Sequence, residues 1–191
     1  MHILVINCSP VRTGATNGIT ERVKNCCTQR GNTVESVCID DYDIHLCRGC
    51  RRCHETGECF QKDDVKKLMD AYDRADCIVT VSPSYWADVP GQFKMFIDRC
   101  TPWCDTHEPH AALKEGKAGF TIALRTGPGM PECERIVSTV EHFYSHLHIR
   151  ACGHLCLCRV EQKEDLKYRE DEIRSFCKKI LEAEAPGPEN K

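Results

Sequence analysis

Four cysteines, Cys47, Cys50, Cys53 and Cys59, fall within thirteen positions, separated by two, two and five residues. Thiolates grouped this closely can each take one corner of a 4Fe-4S cube. A structural zinc more often takes two cysteine pairs set apart by a longer linker, so the spacing suits zinc less well; zinc and reactive free thiols stay open as alternatives. The flanking Arg48, Arg51 and Arg52 would lower thiolate pKa values and offset the charge of a ligated cluster, or simply solvate the loop.

A second chemical pattern is Cys8-Ser9-Pro10-Val11-Arg12-Thr13-Gly14-Ala15-Thr16-Asn17, placed between an apolar run and a helical stretch. A turn from a strand's carboxyl end into a helix N-terminus offers free N–H groups and the positive end of the dipole, which is what holding a phosphate requires. Ser9, Thr13 and Thr16 add hydroxyl donors, Arg12 adds charge, and Gly14 allows close approach. The spacing matches neither G-x-x-x-x-G-K-[ST] nor G-x-G-x-x-G. Spacing alone equally permits an ordinary turn whose Ser and Thr cap the helix.

Three weaker patterns read as structural. Cys152, His154, Cys156 and Cys158 overlap a strand and its exit, where packing explains them. His142, His146 and His148 lie at the end of a helix, where imidazolium suits the C-terminal dipole. Cys100 and Cys104 sit one helical turn apart beyond Arg99 and read as loop packing.

Alternating strands and helices must position these groups. The spacing predicts strands at His2–Asn7, Thr33–Ile39, Cys77–Ser82, Ala118–Leu124 and Ile149–Leu155. Helices fill the gaps: one running to about Arg30, then Asp63–Tyr72 and Gly91–Cys100. A further helix buries Ile136, Val137, Val140, Phe143, Tyr144 and Leu147, and the last buries Leu166, Ile173, Phe176, Cys177, Ile180 and Leu181. Such alternation implies parallel pairing with right-handed crossovers, a doubly wound α/β domain over 1–184 with a cysteine-rich loop at 40–62 after the second strand and a frayed tail at 185–191.

With 191 residues, 41% of them hydrophobic, one domain suffices. The formal charge of -3 is too small to steer the chain onto nucleic acid or anionic lipid. Sixteen cysteines would suit a secreted disulfide scaffold. The start carries no Lys or Arg ahead of its apolar run, and no stretch approaches a membrane span, so the expectation is a cytoplasmic protein with reduced thiols. Cys26, Cys27, Cys38, Cys77 and Cys177 are then small core hydrophobes.

The Ser9-Pro10-x-Arg12-x-Gly14-x-Thr16 pattern resembles the FMN phosphate loop of the NAD(P)H-dependent FMN reductase group of flavodoxin-like proteins. The run from Ser82-Pro83-Ser84-Tyr85-Trp86-Ala87-Asp88 to Asp98-Arg99 is similar to that group's loop beside the isoalloxazine ring and the helix after it. Cys47-x2-Cys50-x2-Cys53-x5-Cys59, followed by Asp63-Asp64, is similar to the cysteine motif of its iron-sulfur flavoproteins. Three departures stand out: Cys8 where Gly is usual, Arg12 one residue later than in the commonest form, and Ala15 where Asn is frequent. The loop holding Trp86 and Asp88 varies within the group.

The resemblance implies a five-stranded sheet in the order 2-1-3-4-5. It implies FMN held by Ser9, Arg12, Thr13, Gly14, Ala15, Thr16 and Asn17, with the ring between Pro83, Ser84, Tyr85, Trp86 and Asp88 on one side and Arg125, Thr126 and Gly127 on the other. A 4Fe-4S cluster on Cys47, Cys50, Cys53 and Cys59 is implied with it. So are a ferredoxin-like electron carrier or NAD(P)H as a partner, a small-molecule acceptor, and a homodimer or homotetramer in which the cysteine loop approaches a neighbouring subunit's flavin.

Three functions compete. The first is an FMN-dependent oxidoreductase passing electrons between FMN and the cluster. The second is a cluster-free NAD(P)H-dependent FMN reductase acting on quinone, azo, nitro or other small acceptors. The third is a non-enzymatic flavodoxin-like carrier or metal-sensing module. Electron transfer demands no acid–base residue, so none is assigned.

Overall fold

Ile3, Leu4, Val5 and Ile6 of β1 (His2–Asn7) are all fully buried, as a strand covered on both faces must be. The computed structural model describes residues 1–183. Around β1 it places β2 (Thr33–Cys38), β3 (Cys77–Pro83), β4 (Ala118–Leu124) and β5 (Arg150–Leu157) in one parallel sheet of order β2-β1-β3-β4-β5. The fold is therefore flavodoxin-like and doubly wound. Strand order reverses between β1 and β3, which opens a crevice at their carboxyl ends.

Alternate residues of β1 serve two cores. Ile3 and Val5 pack with α1 (Ala15–Gln29) and α6 (Glu170–Glu182), through Ile19, Val23, Ile173 and Phe176. Leu4 and Ile6 pack with α3 (Val65–Arg74), α4 (Gly91–Arg99) and α5 (Pro131–His146), through Leu68, Phe93, Phe96 and Val140. Gly119 on β4 is required by packing, because a Cβ there would lie 2.6 Å from the Tyr144 ring. That ring is fixed by its hydroxyl, which is 2.7 Å from Thr80 Oγ1 and donates to Phe120 O at 3.3 Å.

Several expected boundaries move. The 40–62 segment is not continuous loop: it starts in a 3-10 turn (Ile39–Asp41) and contains a five-residue helix, α2 (Arg52–Thr56). β5 extends to Leu157 with a register shift opposite Gly119/Phe120 that leaves Cys152 as the extra residue. Leu166 is buried from a 3-10 turn (Lys163–Tyr168) ahead of α6, and Leu181 is half-buried. The expected tail at 185–191 lies outside the described residues. Among the described residues no helix is long and apolar enough to cross a membrane.

Candidate functional site

Unsatisfied backbone groups shape the turn from β1 into α1. Cys8 prolongs the strand, its N–H donating to Val81 O at 2.9 Å, and its side chain is buried in the core with Leu4 and Ile6. Burial, then the nearby Cys38 thiol, pushes the Cys8 thiol pKa up. Asn7 Oδ1 accepts from the Ser9 N–H at 2.9 Å, and Ser9 Oγ accepts from the Val11 N–H at 3.1 Å. Gly14 is the N-cap, extended, and no side chain bonds back to the helix there. The first helical bond runs from Gly18 N–H to Gly14 O at 3.1 Å, so the amides of Ala15, Thr16 and Asn17 precede the ladder. With no acid in the first turn of α1, the positive end of this helix is uncompensated.

Side-chain capping therefore does not explain the Ser and Thr of this loop, and the geometry suits an anion. Thr13 is exposed and Thr16 buried. Asn17 Nδ2 donates to Glu21 Oε1 at 3.0 Å, while Asn17 Oδ1 faces Asn7 Nδ2 at 3.5 Å. Arg12 is turned aside: its Nη1 donates to Asp41 Oδ2 at 3.0 Å, and Nη2 also pairs with Asp41. That contact raises the Arg12 pKa and lowers the Asp41 pKa.

The loops after β3 and β4 meet across a cavity of about 420 Å³ lined by Ser84, Trp86, Ala87, Arg125, Thr126 and Glu132. Ser84 N–H donates to Leu124 O at 2.8 Å and Ser84 Oγ donates to Glu132 Oε2 at 2.9 Å. Arg125 Nη2 pairs with Glu132 Oε1 at 3.0 Å, and Nη1 donates to Gly129 O at 2.8 Å. Gly127 makes room for this guanidinium, since a Cβ there would lie 2.2 Å from Arg125 Nη2. Tyr85 and Asp88 close a two-residue turn, Tyr85 N–H donating to Asp88 O at 2.9 Å and Asp88 N–H to Tyr85 O at 3.1 Å. At its tip Trp86 and Ala87 both have left-handed backbones, φ 54° and 62°, and Trp86 is fully exposed. Asp88 points away from the cavity, its Oδ1 accepting from Val89 N–H at 2.7 Å and from Thr139 Oγ1 at 3.3 Å.

The four clustered cysteines line one cleft, together with Arg48, Arg51, Phe60, Arg99 and Pro102. Burial raises the Cys53 thiol pKa, with added repulsion from Cys59, Cys47 and Cys50. Of the flanking arginines, Arg52 lies over the Phe60 ring at 4.8 Å and Arg48 at 5.8 Å. A different arginine reaches the sulfur: Arg99 Nη2 donates to Cys59 Sγ at 3.4 Å and to Asp63 Oδ1 at 3.1 Å, while Nη1 donates to His45 O at 2.8 Å. Asp63 Oδ2 also accepts from the His45 N–H at 3.0 Å. The side chains of Arg99 and Asp63 are each only 1% exposed, so a buried ion pair clamps both ends of the cysteine segment. Ligand atoms of Cys53, His54 and His107 also converge within 4.8 Å, with the two imidazoles stacked at 4.1 Å.

Asn7, Arg99 and Glu132 were not singled out from sequence. Arg99 had a signal, a charge three and six residues after Phe96 and Phe93 on the buried stripe of α4. Glu132, an acid in the first turn of α5 after a Gly-rich loop, had a fainter one. All sixteen cysteines are free, and Cys27, Cys38, Cys77 and Cys177 are buried as expected, whereas Cys26 is half-buried.

An iron-sulfur flavoprotein of Archaeoglobus fulgidus is 37% identical over 102 residues, 53% of this chain and 44% of that one. One from Methanocaldococcus jannaschii is 32% identical over 102 residues, 53% of each chain. The matched stretch thus spans about half the length of these curated relatives. Among solved structures, an NAD(P)H:quinone oxidoreductase from Methanothermobacter marburgensis shares the fold at TM-score 0.73 with 15% identity, covering 98% of both chains. An FMN-dependent NADH-azoreductase from Bacillus anthracis, solved with FMN, does so at TM-score 0.70 with 12% identity, covering 94% of this chain and 99% of that one. Residues 1–157 match NADPH-dependent FMN reductase, a stretch that takes in the turn before α1, the cysteine segment and both crevice loops. On that extent the chain belongs to the NADPH-dependent FMN reductase family, a family of flavin-dependent oxidoreductases.

Proposed function

We propose that this chain is a cytoplasmic iron-sulfur flavoprotein that exchanges electrons between FMN and a 4Fe-4S cluster. The observation that carries this reading is the cleft where Cys47, Cys50, Cys53 and Cys59 come together around the buried Arg99–Asp63 pair. The names of the relatives, iron-sulfur flavoproteins, support the same reading. On the flavin side, support comes from the unpartnered amides at the start of α1 and from the cavity between Trp86 and Arg125, both beyond carboxyl ends of strands.

FMN supplies two-electron and one-electron chemistry, and a 4Fe-4S cluster supplies one-electron chemistry. The chain's residues hold and tune these groups. The amides of Ala15, Thr16 and Asn17, with the hydroxyls of Ser9, Thr13 and Thr16, take the phosphate, and Gly14 lets it approach. Arg12 braces this loop against Asp41. Pro83, Ser84 and Trp86 border the ring on one side and Arg125, Thr126 and Gly127 on the other; Tyr85 and Asp88 hold the turn that presents Trp86. Arg99 donates a hydrogen bond to Cys59 Sγ and holds it in the cleft. The electron donor is a ferredoxin-like carrier or NAD(P)H, the acceptor a small molecule, and the assembly a homodimer or homotetramer.

Iron, acid-labile sulfide and FMN measured on one anaerobic preparation test this. The expected content per chain is about one FMN, about four iron and about four sulfide. Cys50→Ser should lose iron and sulfide but keep FMN. FMN retained without iron after anaerobic reconstitution would refute the cluster and leave a second reading, a cluster-free NAD(P)H-dependent reductase. The fold shared with a quinone oxidoreductase and an azoreductase favours that reading, and under it Cys50→Ser leaves NAD(P)H-driven acceptor reduction unchanged.

A further inference from the structure

The carboxyl end of α5 carries His142 and His146, four residues apart and therefore on one face, with their rings 4.7 Å from each other. The segment after α4 runs through a 3-10 turn (Thr101–Trp103) and delivers Cys104 and Asp105 to this place. Its position is fixed by the backbone, Asp105 N–H donating to His146 O at 3.3 Å. The ligand atoms of Cys104, Asp105 and His146 lie within 4.8 Å of one another. Asp105 Oδ1 is 2.9 Å from His146 Nδ1, and Asp105 Oδ2 is 3.5 Å from His148 Nε2. Cys104, His142 and His146 also line a groove of about 440 Å³ between α4 and α5.

We propose that Cys104, Asp105 and His146 form a binding site for one zinc-class divalent ion, with His142 or His148 as fourth ligand. A tetrahedral ion bonded at about 2.0–2.3 Å needs its donors roughly 3.3–3.8 Å apart, within reach of small side-chain rotations from the observed spacing. One sulfur, one oxygen and one or two imidazoles select zinc, cobalt or nickel over magnesium or calcium. The carbonyl-rich end of α5 adds a favourable field for a cation. An ion pair between Asp105 and a histidine would need no thiol; the Cys104 sulfur turned to within 4.8 Å of both is what a metal requires and a salt bridge does not. The site lies where α5 hands over to β5, at the amino-terminal edge of the sheet and thus opposite the crevice loops, with Thr101 lining both this groove and the cysteine cleft.

The test uses the full chain, loaded with iron and FMN and then stripped of loosely bound metal. Alkylation of Cys104, followed by mass spectrometry, should slow at least tenfold when Zn²⁺ is added, and His146→Gln should abolish that protection. Co²⁺ should bind with one equivalent fewer in Cys104→Ser and in His146→Gln than in the parent, at unchanged iron and FMN content. Cys104 alkylation that proceeds at one rate with and without Zn²⁺ would overturn the site, and this readout needs no variant. Equal Co²⁺ stoichiometry in the folded variants and the parent would overturn it as well.

Discussion

Removing the carboxylate of Asp63 leaves the Arg99 guanidinium buried without its counter-charge, since both side chains are 1% exposed. Breaking a buried pair from one side costs about 3–5 kcal/mol. Asp63 also accepts from the His45 N–H at 3.0 Å and the Val65 N–H at 3.3 Å, each worth about 1 kcal/mol net. Asp63→Ala should therefore lose about 5–7 kcal/mol, a large part of the stability of a domain this size. Arg99→Met should lose less, because Asp63 keeps its two backbone donors. The double variant Asp63→Ala/Arg99→Met should recover about 2 kcal/mol relative to the sum of the single changes. Denaturant unfolding of the cofactor-free chain, followed by circular dichroism, measures all four corners of this cycle. Burial by itself raises the Asp63 carboxyl pKa, but hydrogen bonds from Arg99, His45 and Val65 outweigh it and hold the group below its ordinary 3.8. A depressed folded pKa contributes stability above the unfolded value that is lost as pH falls through the folded one. Asp63→Asn should thus flatten the acid limb below about pH 4. An Asp63→Ala protein within about 1 kcal/mol of the parent, with iron still bound, would refute the clamp.

The left-handed Trp86 and Ala87 sit where Asn-Gly is the preferred pair, so Trp86→Asn/Ala87→Gly should raise Tm while weakening FMN binding several-fold; unchanged FMN affinity would remove Trp86 from the ring site. Gly127→Ala places a methyl 2.2 Å from Arg125 Nη2, and because the end of a flexible side chain yields, stability should hold within about 1 kcal/mol while FMN affinity falls about tenfold by fluorescence titration. Burial and the neighbouring Cys26 raise Cys27 from 9.0 to about 11. A folded pKa above the unfolded one contributes stability that is complete below pH 9 and lost as pH climbs toward 11, so Cys27→Ala should flatten that alkaline limb in unfolding scans.

Strands buried on both faces were legible because a run such as Ile3–Ile6 carries no polar alternation, and parallel order followed from the intervening helices. The cysteine cleft was legible because its ligands are local in sequence. Helix α2 was not, since five residues carry no periodicity to detect. Asp63–Arg99 was hidden for the opposite reason: the partners lie 36 residues apart, and only the three-dimensional approach of α4 to the start of α3 reveals why a guanidinium occupies an apolar stripe. Cys104 and His146 escaped similarly, each one ordinary in its own segment. Distance along the chain, more than residue type, separated what could be read from what could not.

Arg12 shows how that limit bears on function. A basic side chain in a phosphate-type loop invites the role of phosphate ligand, yet its guanidinium is half-exposed and pairs with Asp41 in the turn after β2. Beside it Cys38 Sγ donates to Ser9 O at 3.3 Å, so two contacts tie the loop before α1 to the entrance of the cysteine segment. If Arg12 braces the loop, Arg12→Gln should weaken FMN less than about threefold and should lower iron retention in parallel, because both segments lose a shared contact. If it holds the phosphate directly, a lost charge-assisted hydrogen bond should weaken FMN tenfold or more and leave iron untouched. FMN titration and iron content on the same variant separate the two, and a selective tenfold loss of FMN would refute the bracing role that the geometry assigns to Arg12.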